Sequence, residues 1–491
     1  MGADVGTIST LESLARTAGL EAGPGGGRDL TVRRREIDEP LRLDSLSAGR
    51  LALLQVDVDG IIAVRSCVID ELVIDHCTAE ALLVTNSRIG RLTIRNTPLN
   101  CELAVNESTV QTLDIHSCAA TRLEGVRVAD SVQISGIRGA VHLKRLRTAS
   151  LTVRSQASAG RRRRRPDVVL ENLHVTEEIT FDDLWLNTLS LEEIDADVLI
   201  LRRVRLETPL AGTGIRCREG LRVNGMVVVD DAASTVSDSD VKGTVEIRGL
   251  RQAGTVPGDA AEMVFRSSTI GRLTAASDEG LPVLVRLDNT AVTDTLALPG
   301  GPARYHLSDN STVREVDLGD AVFRNTAQVT GFLNRVFTGP GPGALEAVRS
   351  TLALRRRNAE EDQLYYFARQ RESLHGPLLR RLLTRGLLGG VLGWGVRARN
   401  PARTLVAAVL ATAAAMHASG AVRGPGVGQL LSPLGASRAL ILSSALWLNV
   451  GTGAPSELKT YAWTALSVLF AAGGLLFTTL TVGIMIRKLV R

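Results

Sequence analysis

The chain reads as a β-solenoid followed by a helical linker and an α-helical two-transmembrane domain with a re-entrant half-helix. Three observations say so. Apolar residues recur at a step of five from about Leu51 to Val153, two apolar stretches lie near the end at 401–422 and 461–486, and a short apolar run closed by a glycine-rich turn sits between those stretches.

The five-residue step defines two columns. One runs Val64, Ile69, Ile74, Ala79, Val84, Ile89, Ile94 and Leu99, and the other runs Ile62, Cys67, Leu72, Cys77, Leu82, Ser87 and Leu92. The second alternates large with small residues, so the visible repeat is ten residues long, and a fixed short period marks a repeat architecture. A helix needs a period of 3.6 to keep these residues on one face, and a two-sided strand needs a period of 2. A squared coil with one side per five residues satisfies the step, its inward side chains stacking from turn to turn. A chain that is 44% hydrophobic but only 3% aromatic suits a narrow coil filled by aliphatic side chains.

Near Cys101 the register slips by one. The columns resume as Leu103, Ser108, Leu113, Cys118 and Leu123, with Val105, Val110, Ile115 and Ala120 beside them. They return as Phe181, Leu186, Leu191, Ala196, Leu201 and Leu206, paired with Leu184, Leu189, Ile194, Leu199 and Val204. This pattern resembles the pentapeptide-repeat right-handed β-helix in a degenerate form without a strict Ala-Asp-Leu consensus. The resemblance covers 41–325 and weakens from Thr208 onward. Solenoids need capped ends, so segment 1–40, with its GPGGGRD stretch, is expected to be a disordered or capping N-terminus. The helical region after Val322 is expected to close the far end.

Segment 326–395 is a helical coupling and interfacial region. GPGPG at 339–343 signals a linker. Residues 344–374 are charged and helix-prone, and 377–395 mix leucines with arginines, a composition suited to lying in a membrane interface with the arginines snorkelling to headgroups.

Segment 396–491 is the membrane domain. Both apolar stretches approach the ~20 residues that cross a bilayer as a helix, whereas the run at 437–447 is too short to cross. Asn449, Val450, Gly451, Thr452 and Gly453 follow it. Non-helical backbone at membrane depth is tolerated only against protein or a water-filled cavity. The negative end of a half-helix and the carbonyls after it favour a cation; the alternative is an ordinary glycine-rich loop. Gly473 and Gly474, in the middle of the second stretch, suit close helix packing.

Here the sequence resembles the two-transmembrane potassium-channel pore, whose filter reads Thr-Val-Gly-Tyr-Gly. Val450, Gly451 and Gly453 match; Asn449 replaces the threonine, Thr452 the aromatic residue, and Ala454 stands where the family usually has aspartate. The resemblance implies a homotetramer in which 449–453 form the selectivity filter for a monovalent cation, potassium or non-selective, and in which Gly473 and Gly474, close to where such channels carry the glycine hinge of their inner helix, form a gating hinge. Bacterial proteins that join pentapeptide repeats to such a pore carry an acidic residue, an aromatic pair, Gly-Tyr-Gly and a proline-arginine pair before the first span. This chain has Asp362, then Tyr365, Tyr366 and Phe367, then Gly393-Trp394-Gly395, then Pro401 and Arg403. The match implies a coupling role for Asp362, Tyr365, Tyr366 and Trp394.

Arginines at 380, 381, 385, 397, 399 and 403 precede the first span, and Arg487, Lys488 and Arg491 follow the second. The positive-inside bias therefore places both termini in the cytoplasm of a multi-pass protein of the bacterial inner membrane. The first twenty residues lack the basic and apolar regions of a signal peptide. The net charge of +5 largely reflects these flanks and speaks of topology rather than of a nucleic-acid partner; the expected partners are membrane lipids.

The five cysteines lack metal-ligand spacing, and Cys67, Cys77 and Cys118 fall in the small inward column. The seven histidines are scattered, with no HExxH. Phosphate-loop, dinucleotide and nucleophile-elbow motifs are missing as well, so the expectation is no catalytic residue, no metal, no cofactor and no enzyme. Arg161–Arg165 must leave the coil, as a solvated loop or as a contact for an anionic partner. The exposed coil positions show no convergent site, leaving any cytoplasmic ligand or protein partner of the solenoid unknown. The functional expectation is a cation channel gated or scaffolded by a cytoplasmic solenoid; the alternative is a non-conducting membrane-anchored interaction scaffold.

Overall fold

The computed structural model describes residues 13, 14, 16, 29–97, 101–118, 120–155, 165–253, 260–277, 281–339, 341–372, 399–423, 432–450 and 458–490. The chain divides into two compact units, Met1–Ala321 with Gly331–Thr351, and Val322–Thr330 with Leu352–Arg491.

The first unit is a β-solenoid of about 13 turns. Its strands run from β1 (Asp29–Ile37) to β29 (Thr312–Val316) and belong to one continuous hydrogen-bonded sheet. Ile61 lies opposite Ala81 and Val68 opposite Arg88, both in parallel register, so one turn takes 20 residues, or four sides of five. That is the physical origin of the five-residue step. Ile62, Leu82 and Leu103 stack in one column and Val64, Val84 and Val105 in the next, and all six are buried.

The ten-residue repeat has a different cause. Ser66, His76, Asn86 and Asn96 hold φ between 50° and 55°, a left-handed conformation that turns the strand and sends the next side chain inward. Those next residues are Cys67, Cys77, Ser87 and Thr97, all buried. Corners also bond to corners: the Ser66 N–H donates to the Thr85 carbonyl and the His76 N–H to the Arg95 carbonyl, each at 3.1 Å. Inside the corner a polar ladder satisfies groups that would otherwise be buried unpaired. Ser87 Oγ accepts from the Cys67 N–H (3.1 Å) and donates to the Thr85 carbonyl (2.9 Å); Ser108 does the same for Ser87 and Asn106. The ladder reappears far along the coil, where Ser239 takes the Ile215 N–H and Ser268 the Ser239 N–H. All five cysteines are free and buried, and desolvation pushes the Cys77 thiol up to about 11 and that of Cys217 to about 12.

Two details of the sequence pattern are corrected. The turn after Leu103 is short: Thr121 lies opposite Leu103 and Leu123 opposite Val105, while Ala120 is only half-buried. Leu123 therefore belongs to the valine column rather than to that of Leu103. Beyond Thr208 the parallel ladder continues, with register shifts between Val241 and Thr244, Ile270 and Leu273, and Val292 and Thr295. The turns lengthen, Arg216 facing Asp240 and Thr235 facing Val264, so the added residues dilute the period while the coil continues. The arginine-rich insertion works the same way, setting Val141 opposite Val168. Arg161–Arg164 lie outside the described residues.

The far end is closed by those parts of α1 (Thr326–Val336) and α2 (Pro342–Leu354) that fall within Gly331–Thr351. Within the solenoid unit, Thr351 Oγ1 accepts the Val316 N–H at 2.8 Å and the Thr338 N–H donates to the Tyr305 carbonyl at 2.8 Å. Phe332, Leu333, Val336 and Val348 are buried there.

The second unit contains α3 (Asn358–Glu372), α4 (Arg399–Ala418), α5 (Pro433–Trp447) and α6 (Tyr461–Val490). Two stretches are long and apolar enough to cross a bilayer, Asn400–Ala418 with 19 residues and Tyr461–Ile486 with 26. The first helix stops four residues before Val422. Gly420 takes a positive φ, the Gly420 and Ala421 N–H groups bond back to His417 and Met416, and Val422 then pairs with Leu458 in an antiparallel bridge. Large apolar side chains face outward from α6, with Val468 and Leu469 about two-thirds exposed, as lipid contact would require.

Candidate functional site

The candidate site is built where α5 meets the two span-length helices. Ser432 caps α5, its Oγ accepting the Gly435 N–H at 3.3 Å, and Pro433 occupies the first turn, where its missing N–H costs nothing. At 15 residues the helix is about 22 Å long, too short to cross the ~30 Å hydrocarbon core. Its inner face, Gly435, Ala439, Leu442, Ser443 and Leu446, is buried. The opposite face carries exposed Leu434, Ile441 and Leu448.

Two polar side chains of α5 are paired across to α4. Ser443 Oγ donates to the Val409 carbonyl of α4 at 2.7 Å, and Trp447 Nε1 donates to Thr412 Oγ1 at 3.0 Å. These bonds fix the rotation of α5 against α4. On the other side the Trp447 indole stacks on Phe470 of α6, with ring centroids 5.5 Å apart. Met416, Val422 and Leu458 complete a small core with Ala439, Leu442 and Leu446.

The glycine pair sits against the foot of α5. A Cβ on Gly474 would lie 1.6 Å from the Trp447 carbonyl oxygen, and one on Gly473 would lie 3.0 Å from the Trp447 ring. Only glycine allows the backbones to approach this closely. The helix runs unbroken through both residues from Tyr461 to Val490.

Asn449 and Val450, the first two residues of the candidate filter, form the C-terminal cap of α5. Asn449 has φ 54°, its N–H donates to Leu446 O at 3.3 Å, and the Val450 N–H donates to Ala445 O at 2.9 Å. This is the Schellman arrangement, with asparagine in the left-handed position that usually takes glycine. Gly451, Thr452 and Gly453 lie outside the described residues, as does Trp394. The structure therefore brings the start of the filter stretch and the glycine pair together through Trp447.

Of the coupling candidates, Asp362, Tyr365 and Tyr366 lie half-buried on α3. The Arg369 guanidinium stands 5.3 Å from the Tyr365 ring and its Nε donates to the Tyr365 hydroxyl at 3.2 Å. One turn earlier, Glu360 pairs with Arg357 and accepts the Phe323 N–H at 2.7 Å.

Sequence reasoning did not single out Trp447, Thr412 or Ser443 as anchors. A usable signal was present: one indole at the end of a short apolar run, with isolated hydroxyls in otherwise apolar helices, where each polar group must find a partner. Asn449 stands at a substituted filter position, but asparagine after a helical run is also a helix-stop signal.

No protein-family model, curated protein or solved structure matches the chain.

Proposed function

We propose that this chain is an integral-membrane protein of the bacterial inner membrane that conducts monovalent cations as a homotetramer, both termini lying in the cytoplasm. Its solenoid, a degenerate form of the pentapeptide-repeat coil, acts there as sensor or scaffold. The observation that carries the reading is a helix too short to span, hydrogen-bonded to one span-length helix, packed on the other, and followed by a glycine-rich stretch.

In this mechanism the carbonyls of Val450, Gly451 and Thr452 replace part of a cation's hydration shell, and Asn449 supplies its carbonyl or amide at the inner end. One such strand per subunit cannot encircle an ion, hence the tetramer. The Gly473–Gly474 step acts as the hinge of α6. Because it abuts Trp447, two residues before Asn449, bending there shifts the foot of the filter. Signals from the solenoid pass through the helical region that contains Asp362, Tyr365 and Tyr366 and through Trp394.

A second reading is a non-conducting membrane-anchored scaffold, in which the helix cap formed by Asn449 and Val450 explains them without an ion. Reconstitution in liposomes separates the two. The channel predicts cation flux that Gly451→Asp abolishes, with the potassium-to-sodium permeability ratio reporting selectivity. Equal absence of flux from wild type and variant across voltage and pH leaves the scaffold.

A further inference from the structure

A groove of about 820 Å³ lies on the outer surface of the solenoid and is lined by no residue invoked for the pore. It follows a corner of the coil along the solenoid axis, between the left-handed residues Arg145, Asn172 and Glu193 and a column of strand residues. That column is read off the register: Thr109, Arg127, Arg147, His174, Asp195 and Arg216 face one another in successive turns. A recess of about 390 Å³, lined by Thr109, Gly125, Arg127 and Arg147 among others, continues the groove at its Arg147 end.

The cations here are not alike. Arg145 is neutralised by Glu107 at 3.0 Å and Glu124 at 3.2 Å, and Lys144 by Glu171 at 2.6 Å. Glu107 reaches Arg145 across Gly125, where a Cβ would fall 2.3 Å from the Glu107 carboxylate. Arg127 and Arg147 face each other on neighbouring turns, backbones about 4.8 Å apart, and neither has a carboxylate within ion-pair distance among the described residues. Two like charges directly opposite repel, and an anion between them relieves the repulsion. The planar guanidinium fork suits a phosphate in particular. Three turns beyond Arg147, about 14 Å along the axis, Arg216 stands in register between Asp195 and Asp240 with no carboxylate within ion-pair distance among the described residues. Between them His174 Nδ1 meets Asp195 at 3.0 Å, and the buried Leu173 and Ile194 lie beneath. The volume falls in the range of small-molecule sites.

We propose that this groove binds a phosphorylated small molecule of nucleotide size, its phosphate held between Arg127 and Arg147 and its body extending past His174 toward Arg216. The site does not depend on the pore: it binds whether or not the chain conducts.

Calorimetric titration of the full-length protein in detergent micelles tests this, with ADP as probe and adenosine as the phosphate-free control. Saturable ADP binding, competed by inorganic pyrophosphate and weakened about tenfold or more in Arg127→Gln/Arg147→Gln but not in Arg314→Gln, an exposed arginine of β29 outside the groove lining, is the expected result. Far-UV circular dichroism establishes that the double variant keeps its coil. Absence of saturable binding at millimolar ADP, adenosine binding as well as ADP, or equal ADP affinity in the folded double variant overturns the proposal. Binding of RNA with no binding of ADP overturns it as well and makes the groove a polyanion track.

Discussion

At the residue scale the second unit turns on Trp447. Its ring, its indole N–H and its carbonyl meet Phe470, Thr412 and Gly474 respectively, so one side chain and its backbone hold three helices in register. Gly474→Ala sets a methyl group against a backbone oxygen that cannot swing aside. The expected loss is about 1–3 kcal/mol, seen as a lower thermal unfolding midpoint of the detergent-solubilised protein. Gly473→Ala meets only a ring edge and should lose less. Gly483, with nothing within 4 Å of its Cβ position, should accept alanine within about 0.5 kcal/mol. Equal losses at all three would remove the close-approach role of the pair. The glycines were legible in the sequence as a packing-or-hinge pair; their partner was not, because it lies on another helix.

At the element scale the coil is specified twice, by apolar residues on each side and by left-handed residues at alternate corners. The first device is plain in the sequence. The second is nearly invisible, since the corner residues Ser66, His76, Asn86, Asn96, Glu107 and Arg203 share a backbone conformation and no chemistry. A left-handed φ costs an ordinary L-residue about 1–2 kcal/mol, and glycine returns roughly 0.5–1 kcal/mol of that as chain entropy. Ser66→Gly should therefore raise the solenoid's thermal midpoint slightly. Ser66→Val, β-branched at φ 52°, should lower it by the equivalent of at least about 1 kcal/mol. A valine variant as stable as wild type would mean that the corner relaxes. The inward hydroxyls of Ser87, Ser108, Ser239 and Ser268 could be read as small residues, but their ladder required the neighbouring turn.

At the scale of the whole molecule, a solenoid turn touches only its neighbours, so the last turn exposes a full set of unpaired backbone groups unless something covers it. Thr351 and Thr338 take part in that closure through Val316 and Tyr305. A chain ending after residue 351 should remain monomeric in size-exclusion chromatography, whereas one ending after residue 325 should self-associate through its open end. Identical elution of the two would show that the helices contribute no cap. The expectation of closure after Val322 came from the general need of repeats for capped ends; the residues that perform it followed from the fold.

The sequence by itself determined what depends on a local, one-dimensional pattern: a coil with five residues per side, two stretches long enough to span a bilayer, and a short helix between them. Tertiary structure alone decided what depends on a neighbour distant in the chain. It set the 20-residue turn, moved Leu123 into the valine column, folded Asn449 into a helix cap, pressed Gly474 onto Trp447 and lined up Arg127 with Arg147. The physical reason is that periodicity records which way a side chain points, whereas register and close approach record what lies opposite, and in a coil that partner arrives a full turn later.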